Sequence, residues 1–199
     1  MFFEFKGLRP VSHHTSFVHP QASVIGDVII GKNVFIGAGA VLRGDFGRIV
    51  IEDGCNVQEN CVVHMFPGIT VLLMEGAHIG HGAIIHGATI GRNCLVGMNA
   101  VVMDDVSVGD ESIIGALCFV NTGMVIPERS LVVGNPAKII KQVSDEMILW
   151  KTKGTEIYQQ LAADCLLVFK ECSPLDAEEE NRKVIAQEYR NWSQSKKGH

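Results

Sequence analysis

Four histidines, His64, His78, His81 and His86, fall within 23 residues. Neutral imidazole is the commonest side-chain ligand for divalent transition metals. Three such rings and a water make an open tetrahedral zinc site, and zinc lowers the pKa of that water to about 7. Hydroxide available at neutral pH attacks carbonyl carbon, so hydration of CO2 or hydrolysis of an acyl compound is the chemistry within reach. Which of the four histidines can converge depends on the elements that carry them.

Those elements repeat. An aliphatic residue recurs every six positions through Val18, Val24, Ile30, Ile36 and Leu42, then Ile51, Val57 and Val63. It returns at Ile79 and Ile85, then runs from Ile90 through Val96, Val102, Val108 and Ile114 to Val120. A period of six suits neither a helix of 3.6 residues per turn nor a long alternating strand. It suits short strands joined by sharp turns, and periodicity of this kind marks a solenoid. Gly often follows the guide residue, as at Gly31, Gly37, Gly80, Gly91, Gly97 and Gly109, and is read here as supplying the positive φ of the turns. Three hexads close a triangular coil of 18 residues, and successive coils stack about 4.8 Å apart. The expectation is a mainly β chain, a left-handed parallel β-helix of hexapeptide repeats over residues 1–140. C-terminal helices over 141–172 pack on it, and a polar tail covers 173–199. Ser144 or Asp145 caps the first helix, and Gly154 divides it from a second that starts at Thr155.

The register slips three times. Three extra residues lie between Leu42 and Ile51, four between Val63 and Ile79, and one is missing between Ile85 and Ile90. The insertions should protrude as loops, where function concentrates. His64 and His86 each follow a guide residue and are 22 apart, one coil plus the four-residue insertion, so they share a column on adjacent coils. Arg43 lies 21 before His64, one coil plus the three-residue insertion, and joins the same column. His81 follows its guide by two and falls on the preceding face of the triangle. It meets the pair only from a neighbouring subunit, as in three prisms around a three-fold axis with a site at each interface.

Composition narrows the classes. The net charge is −5 with no basic run before Lys196, which argues against a nucleic-acid partner. No apolar stretch spans a bilayer and no signal-peptide pattern opens the chain, so a cytoplasmic location is expected. Cys55, Cys61, Cys94 and Cys118 share a slot with Ala22, Ala40, Ala83 and Ala100, and are read as small core residues in a reducing compartment.

The string His78-Ile79-Gly80-His81-Gly82-Ala83-Ile84-Ile85-His86-Gly87, with His64 and Leu42-Arg43-Gly44-Asp45 upstream, resembles the γ-class carbonic anhydrase family. Within it, Arg43-Gly44-Asp45-Phe46-Gly47-Arg48, Val96-Gly97-Met98-Asn99-Ala100 and Trp150-Lys151 are most similar to the phenylacetic acid degradation branch and its carnitine-pathway relatives. The resemblance implies a homotrimer that binds Zn2+, or Fe2+ or Co2+, through His64 and His86 of one subunit and His81 of the next. It also implies an interface pair of Arg43 and Asp45, polar residues Asn56 and Gln58 near the metal, and Tyr158 on the helix beside the site. The family's glutamates for proton transfer are missing: Phe46 takes one place and Met65-Phe66-Pro67-Gly68 the other. A metal hydroxide needs proton export to turn over quickly on CO2. Hydrolysis of an aromatic acyl-CoA thioester is therefore the leading expectation, with CO2 hydration to bicarbonate, a catalytically silent metal-binding scaffold and a metal-free hexapeptide acyltransferase as alternatives.

Overall fold

The computed structural model describes residues 1–183, Tyr189 and Trp192, so the expected polar tail lies mostly outside the described residues. The described residues wind into a left-handed β-solenoid of about seven turns followed by one C-terminal helix. Guide residues stack in parallel register on three faces. Leu42 pairs with Val63, and Ile85 with Val63 and Val102, on the first face. Ile51, Leu73, Ile90 and Val108 stack on the second, and Ile36, Val57, Ile79 and Val96 on the third. Their side chains are fully buried in one continuous core, to which Cys55, Cys61, Cys94 and Cys118 also belong. Each such aliphatic contributes roughly 1.5–3 kcal/mol of transfer free energy, offset by the entropy of ordering the chain.

The glycines that follow the guides serve a purpose different from the one expected. Gly31, Gly37, Gly80, Gly91, Gly97 and Gly109 do not have positive φ. They let one coil approach the next: a Cβ on Gly37 would lie 2.7 Å from Glu59 N, and one on Gly80 2.9 Å from Val96 O. Left-handed turn positions are filled by Gly39 and Gly82, and by Asn33, Asn60, Asn93 and Asn99, whose short side chains tolerate that conformation.

The first insertion does not make a separate loop. It lengthens one strand to Val41–Ile51, and the register against Ser23–Ile30 breaks between Gly26 and Val28. The second forms a short loop between the strands Val62–His64 and Thr70–Leu73. The two insertions meet, with Gly68 N–H donating to Phe46 O at 2.9 Å.

Strand pairing continues past residue 140. Lys138–Gln142 turns back and pairs antiparallel with Ser130–Val133. One helix, Asp145–Val168, follows in place of the two expected. Ser144 caps it by accepting from Met147 N–H, and Asp145 and Glu146 in the first turn suit the helix dipole. Gly154 sits inside this helix because a Cβ there would lie 2.7 Å from the Tyr189 hydroxyl. The helix lies along the third face, packing Met147 and Ile148 with Ile113, and Ala162 with Phe17 and Phe35.

Candidate metal centre

The first face brings Arg43, Asp45, His64 and His86 together. His86 pairs in register with His64, and the ring centroids are 5.3 Å apart. His86 Nδ1–H donates to the buried Asp104 carboxylate at 2.7 Å, which leaves Nε2 as the ring's lone-pair nitrogen. His64 is held differently. Its Nε2 lies 3.0 Å from Asp45 Oδ1, and both ring nitrogens are within 3.3 Å of Arg43 Nη2. Arg43 and Asp45 also pair at 3.5 Å. Two aromatic rings flank the histidines: Phe46 is 5.3 Å from the His64 ring and Phe66 is 5.1 Å from the His86 ring. Both are more than half exposed, whereas Met65, expected beside them, is fully buried in the core.

The remaining expected residues gather elsewhere. His81 lies on the turn after the third-face strand His78–Ile79, half exposed, and its Nδ1–H donates to Glu59 at 2.6 Å. Its backbone N–H donates to Gln58 Oε1 at 3.2 Å. The Gln58 amide N–H groups reach Asn56 Oδ1 at 2.9 Å and His78 Nε2 at 2.6 Å. Asn56 and Gln58 are only 0% and 2% exposed beneath the helix. Tyr158 stands edge-on to His78 with ring centroids 5.2 Å apart, and burial pushes its phenol up to about 12. Burial also pushes His78 down to about 3, keeping it a neutral ring. Because its Nε2 accepts from Gln58, the proton sits on Nδ1, a buried donor without a partner among the described residues.

The expected ligands therefore lie in two groups on different faces, and among the described residues of one chain no three His, Cys, Asp or Glu side chains gather to hold a metal. The donor chemistry of each group can be tested against a divalent ion. His86 and His81 fit: a carboxylate fixes Nδ1–H in each, the outer-sphere arrangement that raises imidazole basicity and leaves Nε2 for a metal. His64 fits on one condition, that a bound ion replaces its contact with Arg43 or Asp45.

Residues 10–140 match the family model described as the GMPPB C-terminal domain. The chain is 47% identical over 181 residues to the carnitine operon protein CaiE of Salmonella agona, covering 91% of each. The chain belongs to the CaiE family. Of the two branches its motifs resemble, the carnitine one is therefore shown. The CaiE-family fold is also that of a hexapeptide transferase family protein from Anaplasma phagocytophilum, at 35% identity and TM-score 0.79, covering 82% of this chain and 96% of that one. A putative acetyltransferase from Bacillus cereus superposes with TM-score 0.82 at 28% identity, covering 83% and 96%.

Two residues of this candidate site, Asp104 and Glu59, are not among those the sequence singles out. Asp104 lies 18 residues after His86, one position beyond its counterpart on the next coil because that coil is a residue short, and Glu59 lies 22 before His81, one coil plus the four-residue insertion. Looking for an acid one coil away from each candidate histidine would have found both. Phe66 was noted, but its contact with His86 depends on how the insertion folds back.

Proposed function

We propose that the chain is a metal-dependent hydrolase of acyl thioesters that works as a cytoplasmic homotrimer, each site formed by His64 and His86 of one subunit and His81 of another. The observation that carries this reading is the histidine pair flanked by Phe46 and Phe66, with His86 anchored on Asp104. Zn2+, or Fe2+ or Co2+, held there would supply a Lewis acid and a neutral-pH source of nucleophilic hydroxide. The chain's own residues have distinct tasks. Asp104 and Glu59 set the tautomers of His86 and His81. Arg43, tied to Asp45, offers guanidinium N–H donors to charge developing on a carbonyl oxygen. Gln58 holds the backbone of His81 in place. Phe46 and Phe66 offer exposed apolar contact where carboxylates would have served proton transfer. This balance favours an organic acyl group, such as the aromatic acyl-CoA of the phenylacetate-pathway resemblance, over CO2.

Likeness to a hexapeptide transferase supports a second reading, acyl transfer to an amine or alcohol without metal. One set of assays separates these. Purified protein is analysed for metal, thiol release from phenylacetyl-CoA is followed, and CO2 hydration is measured by stopped flow. The proposal expects about one divalent ion per chain and chelator-sensitive thiol release that needs no acceptor. Fast hydration without thiol release would reassign the site to CO2, and acceptor-dependent release insensitive to chelator would reassign it to transfer. Metal without either activity would favour a scaffold.

A further inference from the structure

A cleft of about 660 Å³ runs between the helix Asp145–Val168 and the third face. Its lining spans four successive coils, from Gln58 beside the strand Asn56–Val57 to Ile113 in Ile113–Ile114. At about 4.8 Å per coil the cleft is roughly 14 Å long. Leu95, Met98, Ile113, Trp150, Ile157 and Leu161 make it apolar over most of that length. Tyr189 also lines it, its ring stacked on Trp150 at 5.9 Å. Polar groups collect where Gln58, His78 and His81 enter.

Small-molecule sites combine this size, an apolar lining and a few convergent polar groups. An apolar cavity of about 150 Å³ already holds benzene, so there is room for a ring or a medium-length chain. His81 belongs both to this cleft and to the proposed metal site, so a ligand in the cleft has one end beside the chemistry.

We infer that the cleft binds the apolar acyl group of the substrate, with the carbonyl at the Gln58–His78–His81 end and the apolar body toward Ile113 and Trp150. This rests on the acyl-thioester reading and adds its specificity determinant: selection for large apolar acyl groups by a surface outside the metal ligands.

The test uses the full-length protein and CoA analogues in which a methylene replaces the thioester sulfur, so that binding is read without turnover. Trp150 lines the cleft, and tryptophan fluorescence reports occupancy. The phenylacetyl and hexanoyl analogues should bind at least tenfold tighter than the acetyl analogue. Ala116→Phe and Leu161→Phe, which fill the cleft from exposed positions, should each weaken the larger analogues at least tenfold, with circular dichroism checking that both variants fold. Equal binding of all three analogues, or binding unchanged in both folded variants, would overturn the inference. Thiol release separates it from the proposed function. Binding that follows this pattern without hydrolysis of the true thioesters sustains the cleft and removes the hydrolase reading. Hydrolysis indifferent to acyl size and to both substitutions does the reverse.

Discussion

Lys151 provides a test of the helix-to-solenoid packing that builds the cleft. Its side chain is 3% exposed, and Nζ donates to Gly76 O at 2.8 Å and Asn93 Oδ1 at 2.6 Å. Burial holds the amine at about 7, against 10.5 for a free lysine. The folded-state value lies below the unfolded one, so between these limits the unfolded chain binds more protons and stability rises with pH. The full effect is at most about 5 kcal/mol, and the step from pH 7 to pH 9 returns about 2 kcal/mol of it. Cys55, Cys61 and Cys94, held up at about 12, 11 and 12, act in the opposite direction once unfolded thiols ionise. The informative quantity is therefore the difference between wild type and Lys151→Met. The substitution removes the titrating group and leaves two acceptors unmet, costing about 1–3 kcal/mol each. Urea unfolding at fixed protein concentration, run from pH 6.5 to pH 9.5, should show wild type gaining about 2 kcal/mol on the variant between pH 7 and pH 9. Parallel pH profiles for the two proteins would refute the buried-amine argument.

Two further predictions concern the proposed site. Asp104→Asn should weaken Co2+ or Zn2+ binding by about 10–100-fold in an absorbance or competition titration, because the amide no longer fixes the His86 tautomer; unchanged affinity would mean that His86 is not a ligand. His64→Ala and His81→Ala proteins should each lose the metal when pure, yet recover part of it when co-refolded, since a mixed trimer contains an interface with all three histidines intact. Failure to recover metal in mixtures shown to contain mixed trimers would exclude a site divided between subunits.

The hexad period made the fold legible because it is a constraint on volume. Every sixth side chain meets its counterpart one coil away, so Val63, Ile85 and Val102 must all be aliphatic. The column of Arg43, His64 and His86 was legible for the same reason, once both insertions were counted. Three features resisted. The conformation of each glycine depends on what lies one coil above, so Gly37 next to a guide residue reads like a turn glycine until Glu59 is seen against it. Gly154 looked like a helix breaker because the pattern carries no trace of Tyr189, 35 residues later, whose hydroxyl fills the space of a side chain. Asn56, Gln58 and Tyr158 came from resemblance alone. The helix crossing the third face buries these two polar side chains, and Gln58 bridges Asn56 Oδ1 and His78 Nε2 beneath it, contacts that the hexad pattern does not carry.

A solenoid is a regular scaffold, and regularity alone makes no site. The irregularities of this chain cluster on its histidine column. Arg43, Asp45 and Phe46 lie on the strand lengthened by the first insertion, His64 stands at the start of the second, and His86 lies where a residue is missing. Gly47 packs its α-carbon against Ile69 O and Gly68 N–H reaches Phe46 O, so the two insertions brace each other. That bracing sets Phe46 and Phe66 on either side of the paired rings. The loss of one residue after His86 has a separate effect. Gly87 takes φ +60, with Asp104 Oδ1 in the space of its missing Cβ, and the same carboxylate accepts the hydrogen bond from His86 Nδ1–H. A side chain at position 87 would push Asp104 away from the imidazole. The deletion, the glycine and the carboxylate thus act as one device, fixing the ring on which the proposed chemistry depends.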